Sequence, residues 1–148
     1  QLGMALLTDA GRGKELEKII ETVARVEIYL TQARELVAQN NAFAAWEALE
    51  AAAQLAPNDV PVNQRRAELA PRVAAFVGKL DAARRHEDAG RSAAALTQWL
   101  AAQGIYPASS LARQGIARAS DRLLDDLALE TRPSAAVESP GSARNGVE

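Results

Sequence analysis

The chain has no cysteine and one histidine, His86. Without thiols there is no disulfide framework, no thiolate metal site and no cysteine nucleophile, and one imidazole excludes a two-histidine metal motif. Neither a metal nor a cofactor is expected. Aromatic residues are only 4% of the 148, and β-branched residues are few beside 33 alanines and 17 leucines. That composition favours helices and argues against sheet-based enzyme folds. Charge of one sign is also missing: 17 basic and 19 acidic side chains leave a net −2. A phosphate backbone needs Lys or Arg without acidic neighbours, so nucleic acid is not an expected partner. No run approaches the roughly 18 apolar residues of a membrane-spanning helix.

The length suits one domain. The chain opens at Gln1 instead of a methionine, and the expectation is a preceding stretch, either a targeting or anchoring segment or sequence trimmed from this end. Gln1 to Leu7 is apolar enough to be its end, or to form a helix docked on the body. Fourteen arginines to three lysines, with so much alanine, point to a GC-rich bacterial gene. The compartment is left open between bacterial cytoplasm and periplasm, and a preceding segment could associate the chain with a membrane.

The cleanest periodic signal runs from Lys14 to Asn40. Leu16, Ile19, Val23, Val26, Leu30, Ala33 and Val37 follow steps of three and four along one face of a long helix, and the same steps describe a coiled-coil seam. Ile20, Ala24, Ile28 and Tyr29 widen the stripe, so packing in a helical array is expected, with homodimerisation as the alternative. Asn40-Asn41 predicts a turn. A second helix over Ala42 to Ala56 turns Trp46, Leu49, Ala52, Ala53 and Leu55 inward. Asp59 caps a third, with Pro61 tolerated in its first turn. Its face of Val62, Leu69, Val73, Phe76, Val77, Leu80 and Ala83 reaches about Ala89, and Pro71 is expected to kink or break it. A fourth helix spans Arg91 to Gln103 on Leu96, Trp99 and Leu100. The fifth, capped by Ser109 or Ser110, runs to Glu130 on Leu111, Ile116, Ala119, Leu123 and Leu127. From Thr131 the chain has little apolar mass, and residues 132–148 are expected to form a flexible tail.

Displaced by 50 residues, the chain matches itself: Ala33, Arg34, Ala44, Ala45, Ala52 and Pro57 fall on Ala83, Arg84, Ala94, Ala95, Ala102 and Pro107. Asn40 meets Gly90, and Leu49 meets Trp99. We read a duplicated long-helix, short-helix unit. The positions Tyr29, Gln32, Ala33, Leu36, Asn40, Ala45, Leu49, Ala52 and Pro57, then Lys79, Ala82, Ala83, His86, Gly90, Ala95, Trp99, Ala102 and Pro107, resemble the tetratricopeptide repeat over roughly 27–108. The resemblance implies an all-α fold of five principal helices: two TPR-like hairpins, about 27–58 and 77–108, in a short α-solenoid within residues 1–130. It also implies a non-catalytic module that binds a partner protein or peptide. The 50-residue spacing departs from the family's 34, so an extra segment around Val62 to Val77 must lengthen the third helix or add another. The family's carboxylate clamp needs Lys and Asn where this chain has Leu30, Arg34 and Val37, then Leu80, Arg84 and Glu87, and it is not carried over.

Chemistry is sparse. Glu47-Glu50 and Asp125-Asp126 read as solvated faces, and Gly11-Arg12-Gly13-Lys14 lacks the spacing and hydroxyl of a phosphate-binding loop. The candidate partner-binding residues are Arg34 and its counterpart Arg84, whose guanidinium forks suit an acidic segment, with Glu87 beside Arg84 and Trp46 as an interface anchor if exposed. The alternative function is a structural subunit that homo-oligomerises, or docks in a larger complex, through the Lys14 to Asn40 helix. A small helical enzyme would require His86 buried beside a carboxylate in a cleft.

Overall fold

A computed structural model describes residues 2–133, with side chains from residue 9 onward. Most of the expected tail lies outside these residues. Among them the fold is all-α: α1 (Leu2–Ala38), α2 (Ala42–Leu55), α3 (Val60–Leu69), a 3-10 turn (Ala70–Arg72), α4 (Ala74–Asp88), α5 (Ser92–Ile105) and α6 (Ser110–Glu130). The five-helix expectation is corrected to six. Pro71 has no N–H to donate to the Ala67 carbonyl, and its ring crowds that carbonyl, so the expected third helix ends at Leu69 and restarts at Ala74.

The offset of 50 reappears in the architecture. The ends of α1, α2 and the start of α3 (Ala38, Ala42, Leu55, Val60) match those of α4, α5 and α6 (Asp88, Ser92, Ile105, Ser110). Local chemistry explains the match. Asn40 and Gly90 take left-handed conformations at φ 60° and 71°, which turns the chain out of each long helix. Each turn is closed by the same pair of bonds: Asn41 N–H to Leu36 O at 2.8 Å and Asn40 N–H to Val37 O at 3.0 Å, then Arg91 N–H to His86 O at 2.8 Å and Gly90 N–H to Glu87 O at 3.0 Å. Asp59 accepts from Val62 N–H at 3.0 Å, and Ser109 from Ala112 N–H at 2.9 Å, to start α3 and α6. The repeating unit thus has three helices.

Within each unit consecutive helices pack together, α1 on α2 and α2 on α3, then α4 on α5 and α5 on α6. The main core joins Trp46 and Leu49 of α2, Phe76, Leu80 and Ala83 of α4, Trp99 of α5, and Ala112 and Ala119 of α6. Phe43, Phe76 and Tyr106 clasp α2, α4 and the end of α5, with Phe43 stacked on Tyr106 at 5.3 Å and Phe76 edge-on to both. A smaller cluster packs Val26 of α1 against Ala52 and Val62. On α5 and α6 two expected core positions are exposed instead, Leu100 and Leu127. On α6 the close approach to α5 is made by Ala112, Gly115 and Ala119, because small residues let helix axes come near.

Candidate interaction surface

α1 is far longer than anything beside it. Its 37 residues rise about 56 Å, whereas the 14 of α2 rise about 21 Å. The apolar residues of α1 that pack in the core begin at Val26 and meet α2 and α3. Every side chain from Asp9 to Arg25 is exposed except the half-buried Thr22. Gly11 and Gly13 lie inside the helix, not ahead of it, so the Gly-Arg-Gly-Lys sequence forms no loop for an anion.

The seam expected from Lys14 to Asn40 is therefore divided. Val26 and Ala33 are buried inside the chain, while Leu16, Ile19, Ile20, Val23 and Ile28 are 56–60% exposed. Toward the root of the helix the exposed stripe runs into a groove of about 380 Å³ between α1, α2 and α3. Its floor is apolar, with Leu30, Val37, Leu49 and Leu69, and Arg34, Arg65 and Arg72 stand around it with Glu68. Arg65 pairs with Glu68 at 3.4 Å. Among the described residues Arg34 reaches only the Thr31 hydroxyl and Arg72 only the Asn40 amide oxygen, at 3.3 and 3.0 Å, and neither has a carboxylate partner.

The four candidate residues are not brought together. Arg34 lines the groove. Arg84 pairs with Glu50 at 2.9 Å and with Asp81 at 3.7 Å. Trp46 is 5% exposed, with the Arg66 guanidinium 5.2 Å from its ring centroid, so it packs inside the chain instead of standing out as an anchor. Glu87 pairs with Arg118 at 3.4 Å, and Arg118 in turn lies 5.6 Å from the Trp99 ring centroid. Each unit thus has a tryptophan topped by an arginine that a glutamate holds.

The reading of Glu47 and Glu50 as a solvated face is overturned. Glu50 is 5% exposed, and its two oxygens take Arg66 of α3 and Arg84 of α4. Glu47 reaches across to the start of α6. It accepts from the Ser109 hydroxyl, from Ser110 N–H at 3.2 Å and hydroxyl at 2.9 Å, and from Leu111 N–H at 3.1 Å. With Ser109 taking Ala112 N–H, the first orphan donors of α6 are satisfied, and the carboxylate complements the positive end of the helix. Glu47→Ala is expected to cost about 2 kcal/mol, the upper end for a lost cap, because the acceptor is charged and serves several donors. Urea unfolding should show the loss, and hydrogen exchange should place it at 110–113; uniform exchange along α6 would contradict the capping role.

His86, in the last turn of α4, is half-buried with Nδ1 enclosed and unpartnered. Among the described residues no group of three or more His, Asp or Glu is placed to hold a metal ion, and no helix is long and apolar enough to cross a membrane. No protein-family model, curated protein or solved structure matches the chain.

Proposed function

We propose that this chain is a non-catalytic interaction and assembly module of the helical-repeat, TPR-like type, and that the projecting face of α1 is its partner surface. One observation carries the reading: Leu16, Ile19, Ile20 and Val23 stand more than half exposed along a stretch of α1 that, among the described residues, no other helix covers. Scattered exposed aliphatics are ordinary on protein surfaces, but a contiguous stripe is the signature of an interface. The helix itself points the same way. Most helical stability comes from packing, and two glycines weaken the projecting part further, so a partner along this face would supply what the fold does not.

The carboxylates support the non-catalytic part of the proposal. Glu47, Glu50 and Glu87 are each engaged in holding helices together, so none of these three stands in the paired, confined arrangement that acid-base chemistry uses. A second reading rests on the groove. Arg34 and Arg72 over an apolar floor suit an acidic peptide with an aliphatic side chain.

A photo-crosslinking residue at Ile19, in cells making the chain, tests the primary reading. Adducts with another protein or with a second copy are expected at Ile19, and none at the exposed Asp121 of α6 used as control. Equal yields at the two positions, or no adduct at Ile19, would overturn the reading.

A further inference from the structure

Resting on that reading, we propose that the partner of the α1 face is the same face of a second copy of this chain, packed antiparallel. Because Val26 and Ala33 are occupied inside the chain, the free seam is rotated from the heptad seen in sequence. It runs through Leu16, Ile20, Val23 and Glu27 and on past the half-buried Leu30 to Arg34, in steps of four and three that stay on one strip of the helix. The same strip continues to Arg12 and Asp9. Between Asp9 and Arg34 it rises about 38 Å, more than three heptads.

The charges along the strip decide the orientation. In an antiparallel pair with Ile20 opposite the partner's Val23, Leu16 faces the partner's Glu27, and Asp9 faces the partner's Arg34. Arg12 then lies one step from the partner's Glu27, so that carboxylate's stem covers Leu16 while its head meets a guanidinium. Two-fold symmetry repeats both ion pairs, giving an apolar centre with opposite charges matched at each end. A parallel, in-register pair would instead set Asp9 on Asp9, Glu27 on Glu27 and Arg34 on Arg34. Like charges so placed disfavour that register. A face whose charges match themselves only after reversal is what an isologous contact requires. Among the described residues the Arg34 guanidinium bonds only the Thr31 hydroxyl, which leaves its charge for this role.

Sedimentation equilibrium of the full chain tests the proposal. The unaltered protein is expected to dimerise with rising concentration, and Ile20→Glu with Val23→Glu to leave a monomer of unchanged helical content, because both side chains face solvent. Asp9→Arg alone and Arg34→Asp alone should each weaken the dimer about tenfold, and the two together should restore most of it. A chain still monomeric at about 0.5 mM overturns the proposal. So does a dimer indifferent to the Ile20 and Val23 changes, or a double reversal that rescues nothing. If the chain is monomeric but Ile19 crosslinks to a different protein, the interaction module stands and self-pairing falls. If there is neither dimer nor adduct, both fall.

Discussion

Replacing Gly115 by alanine is expected to destabilise the fold by about 2–3 kcal/mol, even though alanine is the better helix former by about 1 kcal/mol. A Cβ on Gly115 would lie 2.2 Å from Cδ2 and 2.3 Å from Cε2 of Trp99, well inside van der Waals contact. The ring cannot step aside. It is 1% exposed, enclosed by the core and covered by the Arg118 guanidinium, so α6 must move off α5 or the ring must leave its rotamer. For a domain of this size the loss corresponds to a fall in Tm of roughly 10 °C. Gly78 and Gly104, with nothing within 4 Å of an added Cβ, provide the contrast: their alanine variants should gain about 0.5–1 kcal/mol each. Trp99→Leu combined with Gly115→Ala should cost much less than the two changes summed, because the smaller side chain makes room for the methyl. Strict additivity in urea unfolding would show that the ring does not bear on Gly115.

Much of the architecture is written locally and can be read from the sequence. Asn40, Gly90, Asp59 and Ser109 act on the backbone within a few residues of themselves, so turns and helix starts were accessible, and so was the offset of 50 that relates them. Pro71 was legible as an interruption, although not as the point that makes each unit three helices instead of two. The surface was less legible. The steps of three and four in α1 state that one face is apolar, and they do not state what covers it. A coiled-coil seam and a buried stripe share a period, and here one helix has buried positions toward its C-terminal end and an exposed stripe before them. The roles of Glu47 and Glu50 are hidden from the sequence for a related reason. Their partners are Ser109 to Leu111, Arg66 and Arg84, up to 64 residues away, and no short-range pattern marks such contacts. The role of Gly115 is equally hidden, because a glycine inside a helix signals weakness unless the ring lying over it is known.

The two glutamates also show how the units differ, which leads to the second large effect. Their counterparts at an offset of 50 are Thr97, whose hydroxyl returns to the Ala93 carbonyl at 3.0 Å, and Leu100, 49% exposed. The second helix of the first unit has α4 and α6 beyond it and carries carboxylates for both; α5 carries neither. Glu50→Gln should therefore loosen the junction between units. The amide loses the charge and turns a donor toward a guanidinium that can only donate. Breaking a fully buried ion pair costs about 3–5 kcal/mol. Here the Arg66 and Arg84 side chains remain about a third exposed and partly hydrated, so the expected loss is smaller, about 2 kcal/mol. It should vary little with salt, since Glu50 itself is enclosed. Glu68→Gln, which breaks a pair exposed on both sides, should stay within about 0.5 kcal/mol. Methionine at 50, 66 and 84 together should recover much of the loss by replacing the ionic junction with an apolar one. If Glu50→Gln costs no more than Glu68→Gln, the Glu50 carboxylate does not hold the units together, and the Glu47 bonds to α6 and the shared apolar core carry that junction.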